Sequence, residues 1–274
     1  MRDPRDIRRS VAATHGAEAV SITRAGSYIA PSGHVVDLRG AIATAIAGTR
    51  DLPPDQAVAH TAVGTRSTHI EVCNESTLSA ARRLAAADPV ALNFASAYNP
   101  GGGFLGGARA QEESLCRASA LHACIVGQRM YADHNAARDP MYTSWLLYSP
   151  GVPVFRDDDG ALLDAAWTCG FITAAAPNVK VLRDRNPGRL ADLPAVMTDR
   201  IARVLGVAAR ESHASVVLGA WGCGAFGGDT GLVAERFHAA LYGPFRGVFT
   251  TVVFAVLDST AERRFIGPFE RMFA

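Results

Sequence analysis

No Cys-x-x-Cys pair occurs in the chain, and its five cysteines, Cys73, Cys116, Cys124, Cys169 and Cys223, are odd in number. Both facts argue against a disulfide framework or a zinc ribbon. They favour a reducing, intracellular setting, read as cytoplasmic. An excess of one charge is also missing, since 27 Lys and Arg stand against 26 Asp and Glu for a net charge of +1. A protein that grips duplex nucleic acid by its phosphates is normally more basic, so no direct nucleic-acid binding is expected. Any polyanionic ligand must be held by local features rather than by a global field. The longest apolar stretches, ASVVLGAW and VVFAVL, are far shorter than a membrane span. The N-terminal MRDPRDIRRS is charged with no apolar run behind it, so neither a signal peptide nor a membrane partner is expected. Low-complexity tracts, long linkers and repeats are absent as well.

Hydrophobic residues make up 49% of the 274 residues and charged residues 19%, which suits a globular chain with a sizeable core. Arg5 to Gly16 reads as a helix. Ser27 to Ala30 and His34 to Leu38 read as short strands around Pro31-Ser32-Gly33, followed by a helix near Ala41 to Ala47. Ser67 to Cys73 is a strand, and Leu78, Ala81 and Leu84 form a helical stripe. The strand Val90 to Ala95 precedes a glycine-rich loop and a helix from Gln111 to about Met130. Strands over Thr143 to Tyr148, Val152 to Phe155, Ala161 to Leu163 and Trp167 to Thr173 follow. The turn Arg156-Asp157-Asp158-Asp159-Gly160 reads as solvated, with nothing local to pair its acids. A long helix opens at Asp192 and Pro194 and runs to about Glu211. The nearly continuous apolar strand Ser215 to Ala220, as inside a sheet covered on both faces, enters a second glycine loop. A helix over Thr230 to Leu241, a strand over Val248 to Leu257 and a helix from Thr260 complete the chain. Apolar strands alternating with amphipathic helices predict a three-layer α/β fold with a mixed sheet. The chain reads as a single domain over 1–274, with an N-terminal helical and β-hairpin extension over 1–66 packed on a core over 67–274.

The stretch Asn99 to Glu113, NPGGGFLGGARAQEE, carries the most chemistry. Consecutive glycines let a backbone lie against a ligand and adopt positive φ without penalty. A strand, a glycine-rich loop and a helix start commonly hold a phosphate on free N–H groups. Gln111-Glu112-Glu113 adds two carboxylates that simple anion binding does not need. Acids in a first helical turn often only complement the dipole. A site that binds an anionic sugar nucleotide and cleaves a glycosidic bond, in contrast, needs them. Adjacent helical residues point about 100° apart, so both acids reach one site only at the loop–helix junction. The segment Gly222 to Asp229, GCGAFGGD, is a second glycine loop after a strand. Each loop contains a literal Gly-x-Gly-x-x-Gly, a weak signal singly. Together they suggest two walls of one anion cradle, where a diphosphate fits. Cys116, His122 and Cys124 lie close in sequence, but Cys116 and Cys124 sit on one helical face and read as small packed hydrophobes rather than metal ligands.

Gly101, Gly102 and Gly103, the spacer FLGGARA and then Gln111, Glu112 and Glu113 resemble the signature of the bacterial-type poly(ADP-ribose) glycohydrolases, a branch of the macrodomain fold. The likeness extends to Gly222–Asp229 and to the C-terminal VFAVLDSTAERRFIGPF. It implies a macrodomain-like fold and hydrolysis of ribose–ribose O-glycosidic bonds, mainly from chain ends, releasing ADP-ribose without metal or cofactor. It implies poly(ADP-ribose), ADP-ribose and poly(ADP-ribosyl)ated proteins as partners. Glu113 is then the catalytic acid, later the base, and Glu112 orients the ribose. Gly101–Gly103 approach the distal ribose and phosphate, Asn99 and Gln111 join them as substrate-binding residues, and Gly222, Cys223, Gly224, Ala225, Phe226 and Gly227 form the diphosphate-binding loop. Phe226 packs over the ribose beside the scissile bond and restricts the site to chain ends; the plainer reading makes it a core anchor. For adenine stacking, Phe265 is preferred over Phe269 because it follows sooner after the strand ending at Asp258. A non-catalytic ADP-ribose reader is the alternative, though a reader has no use for two acids. A nicotinamide oxidoreductase would need a clean βαβ unit with an acid about 20 residues on, which is missing. A polymer-binding scaffold remains as an added role.

Overall fold

A computed structural model describes residues 6–58 and 63–274. Its N-terminal part comprises α1 (Arg9–Ala25), the hairpin strands β1 (Ser27–Ile29) and β2 (Val35–Asp37), α2 (Arg39–Gly48) and β3 (Arg50–Leu52). Next come β4 (His69–Cys73), α3 (Thr77–Arg83), β5 (Val90–Phe94), α4 (Gln111–Ala118), α5 (Leu121–Ile125) and α6 (Arg129–Ala137). The long strands β6 (Leu146–Arg156) and β7 (Leu162–Ala174) follow, then α7 (Val179–Arg185), α8 (Leu193–Arg210), β8 (Ser215–Leu218), α9 (Thr230–Tyr242), β9 (Thr251–Ala255) and α10 (Gly267–Phe273). Seven strands form one sheet in the order β3-β6-β7-β5-β8-β9-β4. β3, β6 and β7 pair antiparallel, and β7, β5, β8, β9 and β4 pair parallel.

Alternation along each strand divides the core in two. On β5, Ala91 faces a layer built by α1 to α6, with Ile22, Ile42, Leu115 and Met130. Val90 and Leu92 face the other layer, with Ile201, Val204, Phe237 and Phe269 from α8, α9 and α10. This is the expected three-layer α/β arrangement with a mixed sheet and an N-terminal helix and hairpin. Among the described residues the hairpin pairs only with itself, whereas β3 is an edge strand of the main sheet.

Several boundaries differ from expectation for identifiable reasons. The expected helix start at Arg5 lies outside the described residues, and α1 continues past Gly16 to Ala25. Gly16 does not end the helix; a Cβ there would stand 2.8 Å from the Phe104 carbonyl, so the glycine permits close packing on the first glycine loop. The single helix expected over 111–130 is three. Ser119 takes extended geometry, bridges to Val154 and turns its hydroxyl to Leu115 O. Gly127, at φ 80°, makes the second break. The four strand pieces expected over 143–173 are the two long strands β6 and β7, with a bulge between Ser149 and Val152. The expected C-terminal helix starts at Gly267 rather than Thr260, because Asp258 gathers the N–H groups of Thr260, Phe265 and Ile266 into a turn first. The triple-Asp turn is paired after all: Asp158 accepts from Ser76 Oγ at 2.5 Å and Ser79 Oγ at 2.7 Å, contacts that sequence proximity hides.

Candidate active site

The two glycine loops leave the carboxyl ends of β5 and β8, which are neighbours in the centre of the sheet. Ligands in open α/β sheets bind at this edge. A cleft of about 560 Å³ lies there, walled by Ser76, Gln111, Ala176, Trp221, Phe226 and Phe265 among others. Its size falls within the range usual for ligand pockets.

The acids open α4, whose N-cap position is Ala110, without a side-chain cap. The two carboxylates turn inward. Glu112 is 3% exposed and Glu113 8%. Glu112 Oε2 accepts the Ser96 N–H at 2.7 Å, and its Oε1 accepts the Gly101 N–H at 3.2 Å and Asn93 Nδ2 at 3.4 Å. Glu113 Oε1 accepts the Gly103 N–H at 3.0 Å, while its Oε2 is buried with no partner among the described residues. Gly101 and Gly102 lie in the left-handed region at φ 74° and 60°. A Cβ on Gly102 would sit 2.2 Å from Glu113 Oε1 and 3.2 Å from Glu112 Oε2, so the missing side chain leaves open the space against both acids. Burial pushes the Glu112 carboxyl up to about 8; the Ser96 N–H opposes the rise, Glu113 adds to it, and Asn93 and Gly101 oppose. Burial thus favours the protonated form of Glu112.

The first loop thus does a different job from the one read in the sequence. Its N–H groups at 101 and 103 do not point at a free anion; they hold the carboxyl groups of Glu112 and Glu113. Gln111 is also committed internally. Its Oε1 accepts the Phe94 N–H at 2.9 Å, and its Nε2 donates to Leu92 O at 2.8 Å and Thr77 Oγ1 at 3.1 Å, stapling α4 to β5 while its flank lines the cleft. Asn99 is exposed and closes the glycine turn through its carbonyl, which accepts the Gly102 N–H at 2.9 Å.

The second loop is open. The N–H groups of Gly224, Ala225 and Phe226 find no acceptor among the described residues. Gly222 and Gly227 take φ 79° and 69°, and the turn closes through Gly227 N–H to Gly224 O at 3.1 Å and Gly228 N–H to Gly222 O at 3.0 Å. Three successive free donors in a glycine turn are the kind of backbone that can receive an anion. Gly222, Gly224, Ala225 and Phe226 line the cleft. Cys223 does not: its side chain is buried in the core, and its N–H bonds Ala220 O. Phe226 is half-buried at the cleft wall and touches Tyr142, at 6.0 Å between ring centres.

Phe265 and Phe269 separate cleanly. Phe269 is fully buried between Phe254 and Phe273. Phe265 lines the cleft, its N–H anchored at 2.6 Å on Asp258 Oδ2. Burial raises the Asp258 carboxyl, but the Thr260 hydroxyl and the N–H groups of Ile266, Thr260 and Phe265 outweigh it and hold the group at about 2. Sequence reasoning passed over Asn93, Ser96 and Tyr142. Asn93 had a signal, an amide inside the apolar strand VALNF, and it is fully buried against Thr173 and Glu112. Among the described residues, no group of three His, Cys, Asp or Glu side chains is placed to hold a metal ion. Cys116 and Cys124 are free, buried thiols.

The family model described as "Microbial-type PARG, catalytic domain" matches residues 16–157. The chain belongs to the microbial-type poly(ADP-ribose) glycohydrolase (PARG) family. The crystal structure of the Thermomonospora curvata PARG is similar at 44% identity and TM-score 0.90, covering 97% of this chain and 100% of that one. The same enzyme bound to the inhibitor ADP-HPD matches at TM-score 0.89 and 44% identity, with the same coverage, 97% and 100%. A Deinococcus radiodurans PARG in complex with ADP-ribose matches at 43% identity and TM-score 0.81, covering 86% of this chain and 98% of that one. No curated protein sequence matches the chain significantly. Family membership makes the chain an enzyme of the glycosidase class. Among the described residues no helix is long and apolar enough to cross a membrane.

Proposed function

We propose that this PARG releases ADP-ribose from poly(ADP-ribose), mainly from chain ends, with Glu113 as general acid and then base. The observation that carries the reading is the Glu113 carboxyl group: Oε1 is held by the Gly103 N–H and borders the space kept open by Gly102, and Oε2 is buried with no partner among the described residues. Cleaving the ribose–ribose bond builds positive charge at the anomeric carbon, and the leaving ribose oxygen must gain a proton. Glu113 Oε2 has no competing partner for that proton. After the leaving chain departs, the same oxygen takes a proton from the attacking water. Glu112, held from three sides, orients the ribose hydroxyls. The free N–H groups at 224–226 suit the diphosphate, whose charge stabilises the oxocarbenium-like centre. The ADP-ribose and ADP-HPD complexes of the similar enzymes support a ligand of this class in the same cleft. Phe265 supplies the ring for adenine, and such stacking is worth about 1–3 kcal/mol. Phe226 stands where a longer chain would continue. The substrates in the cell are poly(ADP-ribosyl)ated proteins, and the chain acts as one domain.

A reader of ADP-ribose would bind and stop. Incubating the protein with poly(ADP-ribose) of defined length and resolving the products decides between them. Stoichiometric binding without released ADP-ribose would refute the enzyme reading.

A further inference from the structure

Tyr142 is one of five described non-glycine residues at positive φ, at 58°. Large side chains avoid this region, and such strain persists only where the surroundings over-determine it. Here they do. The Tyr142 N–H closes a turn on Asp139 O at 3.0 Å, and Asp139 Oδ1 accepts the Met141 N–H at 2.9 Å. Arg189 grips both oxygens of Asp139, at 2.8 and 3.0 Å. The buried Arg200 of α8 donates to Met141 O at 2.5 Å and Ala175 O at 2.9 Å. The Asn178 N–H bonds Pro140 O at 2.8 Å. Two arginines and a backbone amide therefore force one outcome, a tyrosine ring pointed from the turn into the space between the loops.

That ring meets both loops. It packs edge-on to Tyr98, just before Asn99 and the first glycine run, at 5.3 Å and 89°. It meets Phe226 of the second loop at 6.0 Å and 53°. His134 backs it at 5.7 Å. Among the described residues Phe226 makes no other ring–ring contact; its remaining support is its packing against the core clusters on either side of it.

We infer that Tyr142 is a positioning residue: clamped in a strained turn between the two glycine loops, its ring sets where Phe226 stands across the cleft, and so how long a chain the enzyme releases. This rests on the chain-end reading of Phe226 above. Without the ring, Phe226 keeps its packing on the core but loses the contact that fixes its ring across the cleft.

Three variants and one probe test it. Tyr142→Leu removes the ring, Tyr142→Gly removes it while relieving the positive φ, and Tyr142→Phe keeps it. The probe is 4-fluorophenylalanine in place of Phe226, read by fluorine NMR. The Leu and Gly variants are expected to bind ADP-ribose within about threefold of the parent, lower kcat on polymer about tenfold and lengthen the released products. Tyr142→Phe should keep the parent's product lengths. The fluorine signal should move in the Leu and Gly variants and stay in Tyr142→Phe. In a double-mutant cycle, Tyr142→Leu should add little to Phe226→Ala, since both act through one ring. A lower melting temperature with unchanged products and an unmoved fluorine signal overturns the proposal and leaves Tyr142 structural. Additive effects overturn it as well. If Phe226→Ala itself leaves product lengths unchanged, the chain-end reading fails, and the fluorine signal alone then decides whether Tyr142 positions the ring. The Gly variant keeps the test alive if Leu does not fold.

Discussion

The two glycine loops share a literal sequence pattern and differ in what their N–H groups do. In the loop after β5, the donors at 101 and 103 are taken by Glu112 and Glu113. In the loop after β8, the donors at 224, 225 and 226 are free among the described residues. The first loop holds acids, and the second leaves three successive donors open. The cause lies in the residues on the C-terminal side of each loop. The first runs through seven residues into a helix whose opening turn carries two carboxylates that fold back onto it. The second runs into Asp229, which turns away to cap α9, its Oδ1 accepting the N–H groups of Gly231 at 2.7 Å and Leu232 at 3.1 Å. With Asp229 occupied by the helix, no carboxylate among the described residues accepts from the N–H groups at 224–226.

If that division holds, damage to the first loop appears in turnover and damage to the second in affinity. The largest effect should come from Glu113→Gln. It should lower kcat about 10²–10⁴-fold, the usual contribution of a general acid, while calorimetry finds ADP-ribose bound nearly as well as by the parent. Activity within about tenfold of the parent would remove Glu113 from its role.

Gly224→Val should be next, with the opposite signature. A Cβ at 224 meets nothing within 4 Å, so the variant should fold. Its branched side chain blocks close approach of a diphosphate to the free donors. Losing two hydrogen bonds to a charged group costs about 3–6 kcal/mol, so affinity should fall at least about 100-fold. Unchanged affinity in a folded variant means that these donors do not seat the ligand.

Gly102→Ala sharpens the contrast from the first loop. The added methyl collides with the Glu113 carboxylate, and alanine also resists φ 60°. Moving a catalytic group by about 1 Å can cost about 10²-fold in rate, so kcat should fall by one to two orders of magnitude with ADP-ribose affinity retained. Equal losses in kcat and affinity would merge the roles of the two loops.

A smaller effect concerns stability. The folded protein binds the Glu112 proton more tightly than the unfolded chain, with the group raised from 4.5 to about 8 by burial above all. Stability from that proton is complete below pH 4.5 and is lost as pH rises to about 8, by up to about 1.4 kcal/mol per pH unit. Glu112→Gln cannot ionise. Its urea midpoint should therefore gain on the parent's between pH 5 and pH 8, and parallel curves would mean that Glu112 does not hold its proton. The smallest effect expected is none: hydrolysis should survive exhaustive chelation by EDTA, because neither loop brings together a metal-binding set among the described residues. Loss of activity restored by a divalent cation would break the metal-free account of both loops.

Much of this is legible in the chain's local patterns. Sheet class, the two loops and the acid pair come from apolar strands, glycine runs and an acidic first turn. That Phe265 rather than Phe269 lines the cleft is legible from spacing, because a residue soon after a strand end stays near that edge of the sheet. The breaks at Ser119 and Gly127 are not, since a hydroxyl that bonds its own helix and a glycine at positive φ interrupt an otherwise continuous apolar stripe. Gly16 misleads for the converse reason: a glycine that serves a distant contact looks locally like a stop. Cys223 sits in a loop whose N–H groups at 224–226 are open, but its side chain turns to the core, an orientation that loop composition does not encode.

The sequence by itself determined which groups are present and in what order they leave the sheet, because strand periodicity and glycine runs act over a few residues. Only tertiary structure decided which N–H groups are spent and which are free. That depends on Ser96, Gly101 and Gly103 meeting α4, on Asp258 anchoring Phe265, and on Arg189 and Arg200 forcing Tyr142 between the loops. Each is a pairing of buried polar groups whose partners lie too far apart in the chain for local pattern to join them. A buried donor or carboxylate must be satisfied by whatever the fold brings within hydrogen-bond reach.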